Sequence, residues 1–272
     1  MKFVPGTKEA PLAWFRTVRR KLIESGWEVS KLDGNRFYKR DANGRLLACL
    51  PVHVDDGKGY VVPDYYASLE SELRKLFKIG EFERLDGRSK VFLGVKHTHH
   101  AGFVEYDQES YLSKELKFME ISPQRARQRS DLLTASEVSE FRSVLGQCSW
   151  AALHTQLAWQ YETSALAGRV QSVDQPPVVD DVLRLNRVVD HMKAERSKVR
   201  MNRLDFSDGI VVKCITDGGE GERDQDTWEK AHSGYMIGIG TPNSSDFVPI
   251  IVRSSRAKRV THSSFDVETV TA

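Results

Sequence analysis

Two adjacent carboxylates, Asp55 and Asp56, close the apolar run "LPVHVDD" and are followed by "GKGY". If the run is a β-strand, both acids protrude at the edge of a sheet as hard oxygen donors, the type that Mg²⁺ prefers. Mg²⁺ held in this way serves phosphoryl transfer, in which two ions about 3.5–4 Å apart favour the attacking and leaving oxygens and a further carboxylate comes from elsewhere in the fold. The same residues also spell a hairpin turn, since Asp-Gly is a strong turn signal. A second acidic pair is Asp217, at the end of "IVVKCIT", with Glu268 in "THSSFDVETVTA". A strand-end carboxylate facing one on a helix can likewise hold metal ions. The alternative is that Asp217 caps a Gly-rich turn and Glu268 favours a helix N-terminus. His97, His99 and His100 lack cysteine or carboxylate partners at ligand spacing and read as surface histidines. No Gly-rich phosphate loop, nucleophile elbow or zinc-protease motif occurs.

The elements that must position these acids follow from hydrophobic periodicity. Leu12, Phe15, Val18 and Leu22 recur at spacings of three and four, which predicts an amphipathic helix stopped at Gly26. Residues 35–62 read as an antiparallel meander, with turns at Ala42-Asn43-Gly44 and at Asp55–Gly59. Leu69, Leu73, Leu76 and Phe77 predict a second helix, and "KVFLGVKHTHHAGFVEYD" a hairpin turning near Ala101-Gly102. From 108 to 200 the pattern is helical: "SYLSKELKFM", then one long piece opened by Thr134 and Glu137 in capping-box spacing. A further helix opens at Pro176-Pro177 and carries Val182, Leu185, Val189 and Met192 on one side. After 205, "GIVVKCITDGG", "SGYMIGIGT" and "FVPIIVRSS" are three β-type runs, and the tail starts as a helix at Ser263 or Ser264.

With 272 residues and 40% hydrophobic content, the chain can bury a core as one large domain or two ordinary ones. No apolar run approaches a membrane span and no signal-peptide core is present, so a cytoplasmic or nuclear location without membrane association is expected. Cys49, Cys148 and Cys214 are odd in number and far apart, and are expected to pack as small apolar residues. The net charge of +2 hides an uneven distribution: residues 1–40 carry ten bases against four acids, and residues 205–229 eight acids against two bases. The clusters "QRARQR", "RSKVRMNR" and "RSSRAKR" are candidate phosphate-contacting stripes, or simply solvated faces.

The order of the pieces adds a resemblance. "GTKEAPLAWF", "SKLDGNRFYKR", "LPVHVDD", "KVFLGVK" and "GFVEYDQESYLSKEL" together resemble the reverse transcriptase of copia-type LTR retrotransposons. "FRSVLGQCSWAA", "CITDGG", "HSGYMIGIG" and "VTHSSFDVETVTA" resemble the continuation of the same polyprotein into RNase H. The specificity lies in the ordered set, which spans nearly the whole chain. The resemblance implies an α+β protein: a partial reverse-transcriptase palm with antiparallel hairpins over 1–107, a helical thumb- or connection-like region over 108–204, and a truncated RNase H-like sheet over 205–272. Asp55 and Asp56 then match the paired metal-binding aspartates of the palm, and Asp217 and Glu268 the first two RNase H acids, all four being catalytic Mg²⁺ ligands. Gly6, Lys8 and Trp14 match a block that lies near the incoming nucleotide and template, and Phe92, Leu93 and Gly94 the hairpin that holds the primer end. His53 stands where the family has Tyr, and could still stack on nucleic acid.

The implied activity is Mg²⁺-dependent RNA-directed DNA polymerisation followed by hydrolysis of an RNA–DNA hybrid. The implied partners are an RNA/DNA template–primer or hybrid and the rest of the polyprotein. The departures are "GKGY" after the aspartates, Gly218-Gly219 after Asp217, and Phe265-Asp266 before the retained Glu268. The family's first palm aspartate is expected upstream of Met1 and its remaining RNase H acids downstream of Ala272, so the chain alone is expected to be inactive. The alternative is a non-catalytic nucleic-acid-binding or interaction remnant of the same scaffold.

Overall fold

The computed structural model describes residues 9–54, 56–219, 223–224, 227–228, 231–243, 245 and 247–256. The chain divides into two compact units, Met1–Arg84 and Leu85–Ala272. Both combine helices with antiparallel sheets, as expected for the α+β class. Among the described residues, no helix is long and apolar enough to cross a membrane.

In the first unit, α1 (Ala10–Glu24) begins with Pro11 in its first turn, where the missing N–H costs nothing. It ends at Gly26, whose φ of +79° lets the Trp27 N–H return to the Leu22 carbonyl. The sheet follows: β1 (Glu28–Val29), β2 (Arg36–Arg40), β3 (Leu46–His53), β4 (Asp56–Gly57) and β5 (Tyr60–Val61). β3 is central, with β2 on one side and both β4 and β5 on the other. After a 3₁₀ turn at Pro63–Tyr65 comes α2 (Tyr66–Leu76). Val18 and Leu22 of α1, Leu69 and Leu73 of α2, and Phe37 and Ala48 of the sheet close one core with Trp27.

Two lysines satisfy helix C-terminal carbonyls that have no partner within their own helix. Lys21 donates to the Leu76 carbonyl, and Lys39 to the Ser25 carbonyl. Between the helices and the sheet, Glu72 accepts from Trp27 Nε1 at 2.9 Å, the Tyr65 hydroxyl at 2.8 Å and Lys39 Nζ at 3.1 Å.

The second unit opens with β6 (Ser89–Phe92), β7 (Val95–His99) and β8 (Phe103–Asp107). The single hairpin arm expected over "KVFLGVKHTHH" is in fact two strands, because Leu93 and Gly94 form a tight turn ahead of the expected one near Gly102. The helices are α3 (Glu109–Lys114), α4 (Pro123–Ala126), α5 (Ala135–His154), α6 (Gln160–Gln171) and α7 (Val179–Glu195). α3 stops short of the expected Met119, whose N–H and C=O are both taken by the Asn186 amide at 2.9 Å each. The long helix expected from Thr134 is broken after His154. Thr155 and Gln156 turn inward there, where Thr155 Oγ1 donates to Gln108 Oε1 at 2.8 Å and Gln156 Nε2 to the Ser197 carbonyl at 2.8 Å.

The core of this unit lies among these helices, with Phe141, Val144, Leu145 and Cys148 of α5 against Leu166 of α6 and Val182, Leu185, Val189 and Met192 of α7. β9 (Val199–Asn202) completes a four-stranded sheet in the order β6-β7-β8-β9. The three last expected runs are β10 (Val211–Gly219), β13 (His232–Gly240) and β14 (Phe247–Arg256), an antiparallel sheet in the order β10-β13-β14. The short pair β11 (Arg223–Asp224) and β12 (Thr227–Trp228) lies between β10 and β13 in sequence. Of the cysteines, Cys148 is buried and Cys214 is exposed on β10, so the expected packing role does not extend to Cys214.

Candidate functional site

The "VHVDD" hairpin is tighter than its sequence suggests. His53 pairs with Asp56 and Val52 with Gly57, so only residues 54 and 55 connect the strands. Asp56 and Gly57 therefore lie in β4, and the turn begins at Val54, ahead of the Asp55–Gly59 segment expected to form it. Primed two-residue turns require a positive φ at their first central residue, and Val54 has φ 53°. A β-branched side chain rarely adopts this conformation, which costs roughly 1–3 kcal/mol and persists only when the surroundings impose it.

The return strand keeps one register throughout, since Ala48↔Val61 and Cys49↔Tyr60 continue Val52↔Gly57. The interruption between β4 and β5 falls opposite Pro51. The Val52 N–H points to the β2 side, where it donates to the Asn35 carbonyl at 2.9 Å. The preceding nitrogen faces the other side, and as a proline nitrogen it has no proton to give. Gly59 belongs to the same gap: a Cβ there would stand 2.0 Å from the Cys49 carbonyl oxygen.

Asp56 is exposed in β4 opposite His53, itself exposed at the end of β3. Asp55 lies outside the described residues, as do Gly6, Lys8 and Glu268. Burial pulls the Lys58 ammonium down to about 8. Trp14, on α1, donates its indole N–H to the Val54 carbonyl at 2.6 Å. Phe77 meets that indole edge-on, with ring centroids 6.2 Å apart.

Asp217 stands within β10, which runs on to Gly219, and not at the strand's end. It pairs with Gly234, and its side chain is exposed. The reading as a turn cap does not hold, because Gly218 and Gly219 are themselves paired with Ser233 and His232.

Phe92, Leu93 and Gly94 form the turn between β6 and β7, with φ of 48° at Leu93 and 75° at Gly94. Gly94 is required twice over, since a Cβ there would lie 2.8 Å from Cη2 of Trp150. Phe92 and Leu93 border a cleft of about 320 Å³ within the second unit, with His97, Tyr106, Met201 and Val252 among its walls. The histidines are not simply surface groups: His97 is half-buried with its ring edge against Tyr106, centroids 4.6 Å apart, while His100 stacks on Phe103 at 4.2 Å.

In the clusters "QRARQR" and "RSKVRMNR" four side chains are matched by acids, while "RSSRAKR" runs beyond the described residues after Arg256. Arg125 grips both Glu137 oxygens at 3.0 Å, and Arg129 pairs with Asp180 at 3.4 Å. Arg196 and Lys198 pair with Glu109 and Glu105 at 2.9 and 2.8 Å. Arg200 lies over the Phe103 ring, 3.7 Å from its centroid. By contrast, Arg16 and Arg19 stand exposed on α1.

Sequence reasoning missed the indole–Val54 bond, the Glu72 cluster and the Leu93-Gly94 turn. Only the last had a local signal, a glycine inside a strand pattern. Among the described residues, no group of three or more His, Cys, Asp or Glu side chains is gathered as a metal site. No protein-family model matches the chain, and no curated protein matches it significantly.

Proposed function

We propose that this chain is part of an RNA-directed DNA polymerase of the copia type, joined to the beginning of an RNase H domain. The observation that carries the reading is the β3–β4 hairpin. Its connection is two residues long and Asp56 lies directly beside it, on a sheet backed by two helices, with Asp55 next to Asp56 in sequence. A hairpin tip is a suitable mount for Mg²⁺ ligands because a carboxylate exposed at the end of the ladder can be approached by a phosphate chain.

Asp56 fits such a role as an exposed hard donor, and Asp55 joins it by sequence adjacency. Bound Mg²⁺ would neutralise the charge developing on the transferred phosphoryl group. The protein's own contribution is placement. The sheet fixes the hairpin, α1 and α2 pack against the sheet, and the basic sequence of residues 1–40 favours a polyanion. In this reading the turn at Leu93-Gly94 contacts the primer, the helices of the second unit grip the duplex through its phosphates, and Asp217 begins the RNase H site.

The test is a titration of an RNA–DNA template–primer at several salt concentrations, with and without Mg²⁺, since the chain alone is expected to be inactive. Binding that Mg²⁺ strengthens in the wild type but not in Asp55→Ala or Asp56→Ala supports the polymerase-derived metal site. Salt-sensitive binding indifferent to Mg²⁺ and to both aspartates favours the non-catalytic remnant, and no binding removes both.

A further inference from the structure

We infer that Trp14 is a positioning residue, a pin that holds the apex of the β3–β4 hairpin and thereby aims its aspartates. The functional part of this inference rests on the polymerase reading above. The mechanical part stands on geometry alone.

A turn carbonyl at a hairpin tip ordinarily faces water. Here the Val54 carbonyl instead accepts a 2.6 Å hydrogen bond from an indole forty residues earlier in the chain. Val54 is also where the backbone is least comfortable, a β-branched residue at φ 53°. An unfavourable conformation lasts only if something outside the turn selects it. The two-residue connection supplies part of that selection, and the indole bond supplies a fixed direction for the peptide that leads into Asp55.

The donor is well anchored for a side chain that is 41% exposed. Trp14 sits in the first half of a fifteen-residue helix whose Val18 and Leu22 are fully in the core. Its ring meets Phe77 edge-on, and Phe77 directly follows α2. Lys21, on the same helix, binds the Leu76 carbonyl and lies over the Phe77 ring, 5.3 Å from its centroid. α1, the end of α2 and the hairpin tip are thus tied at one corner of the unit, and an indole has one N–H and can direct it at one acceptor only.

The account distinguishes the N–H from the ring. Trp14→Phe keeps an aromatic body against Phe77 and removes only the donor. Val54→Gly removes the strain, since glycine takes positive φ freely, and so makes the apex indifferent to the pin.

The experiment is hydrogen exchange on the full chain at the amides of residues 53–57, with Mn²⁺ titration as a second readout. In Trp14→Phe those amides are expected to exchange about five- to tenfold faster, the scale of one lost hydrogen bond, while β2–β3 amides keep their rates. In the Val54→Gly background the same substitution is expected to change them less than about twofold. Mn²⁺ affinity should follow the same pattern. Equal acceleration in both backgrounds, or none in either, overturns the pin. If the wild-type chain shows no Mn²⁺ affinity, the metal-site reading fails while the exchange data still decide the pin.

Discussion

The Tyr65 hydroxyl donates to Glu72 Oε2 at 2.8 Å, and the other Glu72 oxygen takes Trp27 and Lys39. Burial opposes ionisation of Glu72, yet these donors together hold its carboxyl below the ordinary value. The depressed value means that this group's stabilisation is complete above the unfolded glutamate pKa and is lost as pH falls through the folded one. Acid unfolding of the wild type should therefore steepen below about pH 4.3, and Glu72→Gln should flatten that limb. Burial, with Glu72 next, pushes the Tyr65 phenol up to about 12. Its contribution is present below the unfolded value and fades between about pH 10 and 12. Chemical denaturation across both pH ranges checks this.

A second prediction concerns the start of α5. Thr134 Oγ1 accepts the Glu137 N–H at 3.3 Å, and Glu137 Oε2 accepts the Thr134 N–H at 2.7 Å. Arg125, then the Thr134 backbone, draw the Glu137 carboxyl down to about 2. Thr134→Ala should cost about 0.5–2 kcal/mol, read as a fall in Tm of a few degrees. An unchanged Tm would mean that the cap is redundant with the Arg125 clamp.

These two sites show what the sequence could and could not reveal. Thr134 and Glu137 are three residues apart, so their chemistry is local and their spacing announces it. Glu72, Trp27 and Lys39 come together only because α2 packs over the sheet, and nothing within any one segment marks them. The end of β3 just before the tandem aspartates is legible, because the apolar run stops there, although Asp56 itself opens the return strand and does not close β3. The turn was misplaced because "DDGKG" is the stronger local signal, whereas the register set by β3 put the bend at Val54. The break after His154 was hidden for a similar reason: Thr155 and Gln156 are polar residues in an apolar stretch, and their partners Gln108 and Ser197 are 47 and 41 residues away.

Close backbone approach gives a third prediction. Gly59→Ala would put a methyl 2.0 Å from the Cys49 carbonyl, so the β3–β5 pairing must open. We expect a loss of about 2–4 kcal/mol, within the range of overpacking and backbone strain combined, with faster exchange at Tyr60 and Val61. A control at Gly80, whose added Cβ meets nothing within 4 Å, should be close to neutral.

Charge pairing gives a fourth. Arg196 and Lys198 are already engaged by Glu109 and Glu105, whereas Arg16 and Arg19 are exposed on α1. Replacing Arg16 or Arg19 with Ala should each lower the salt slope of hybrid binding by about one. Replacing Arg196 or Lys198 should leave it nearly unchanged. The reverse pattern would move the nucleic-acid face to the second unit.

The central claim is that the β3–β4 hairpin holds divalent cations for phosphoryl chemistry. Its most direct test is Mn²⁺ binding to the full chain, followed by electron paramagnetic resonance with an RNA–DNA template–primer present. Mn²⁺ stands in for Mg²⁺, and the nucleic acid supplies the phosphate ligands that such sites need. The account predicts binding that weakens at least about tenfold in Asp56→Asn, the scale of one lost charged ligand. Wild-type and Asp56→Asn chains taking up Mn²⁺ equally, or neither taking it up, would contradict it.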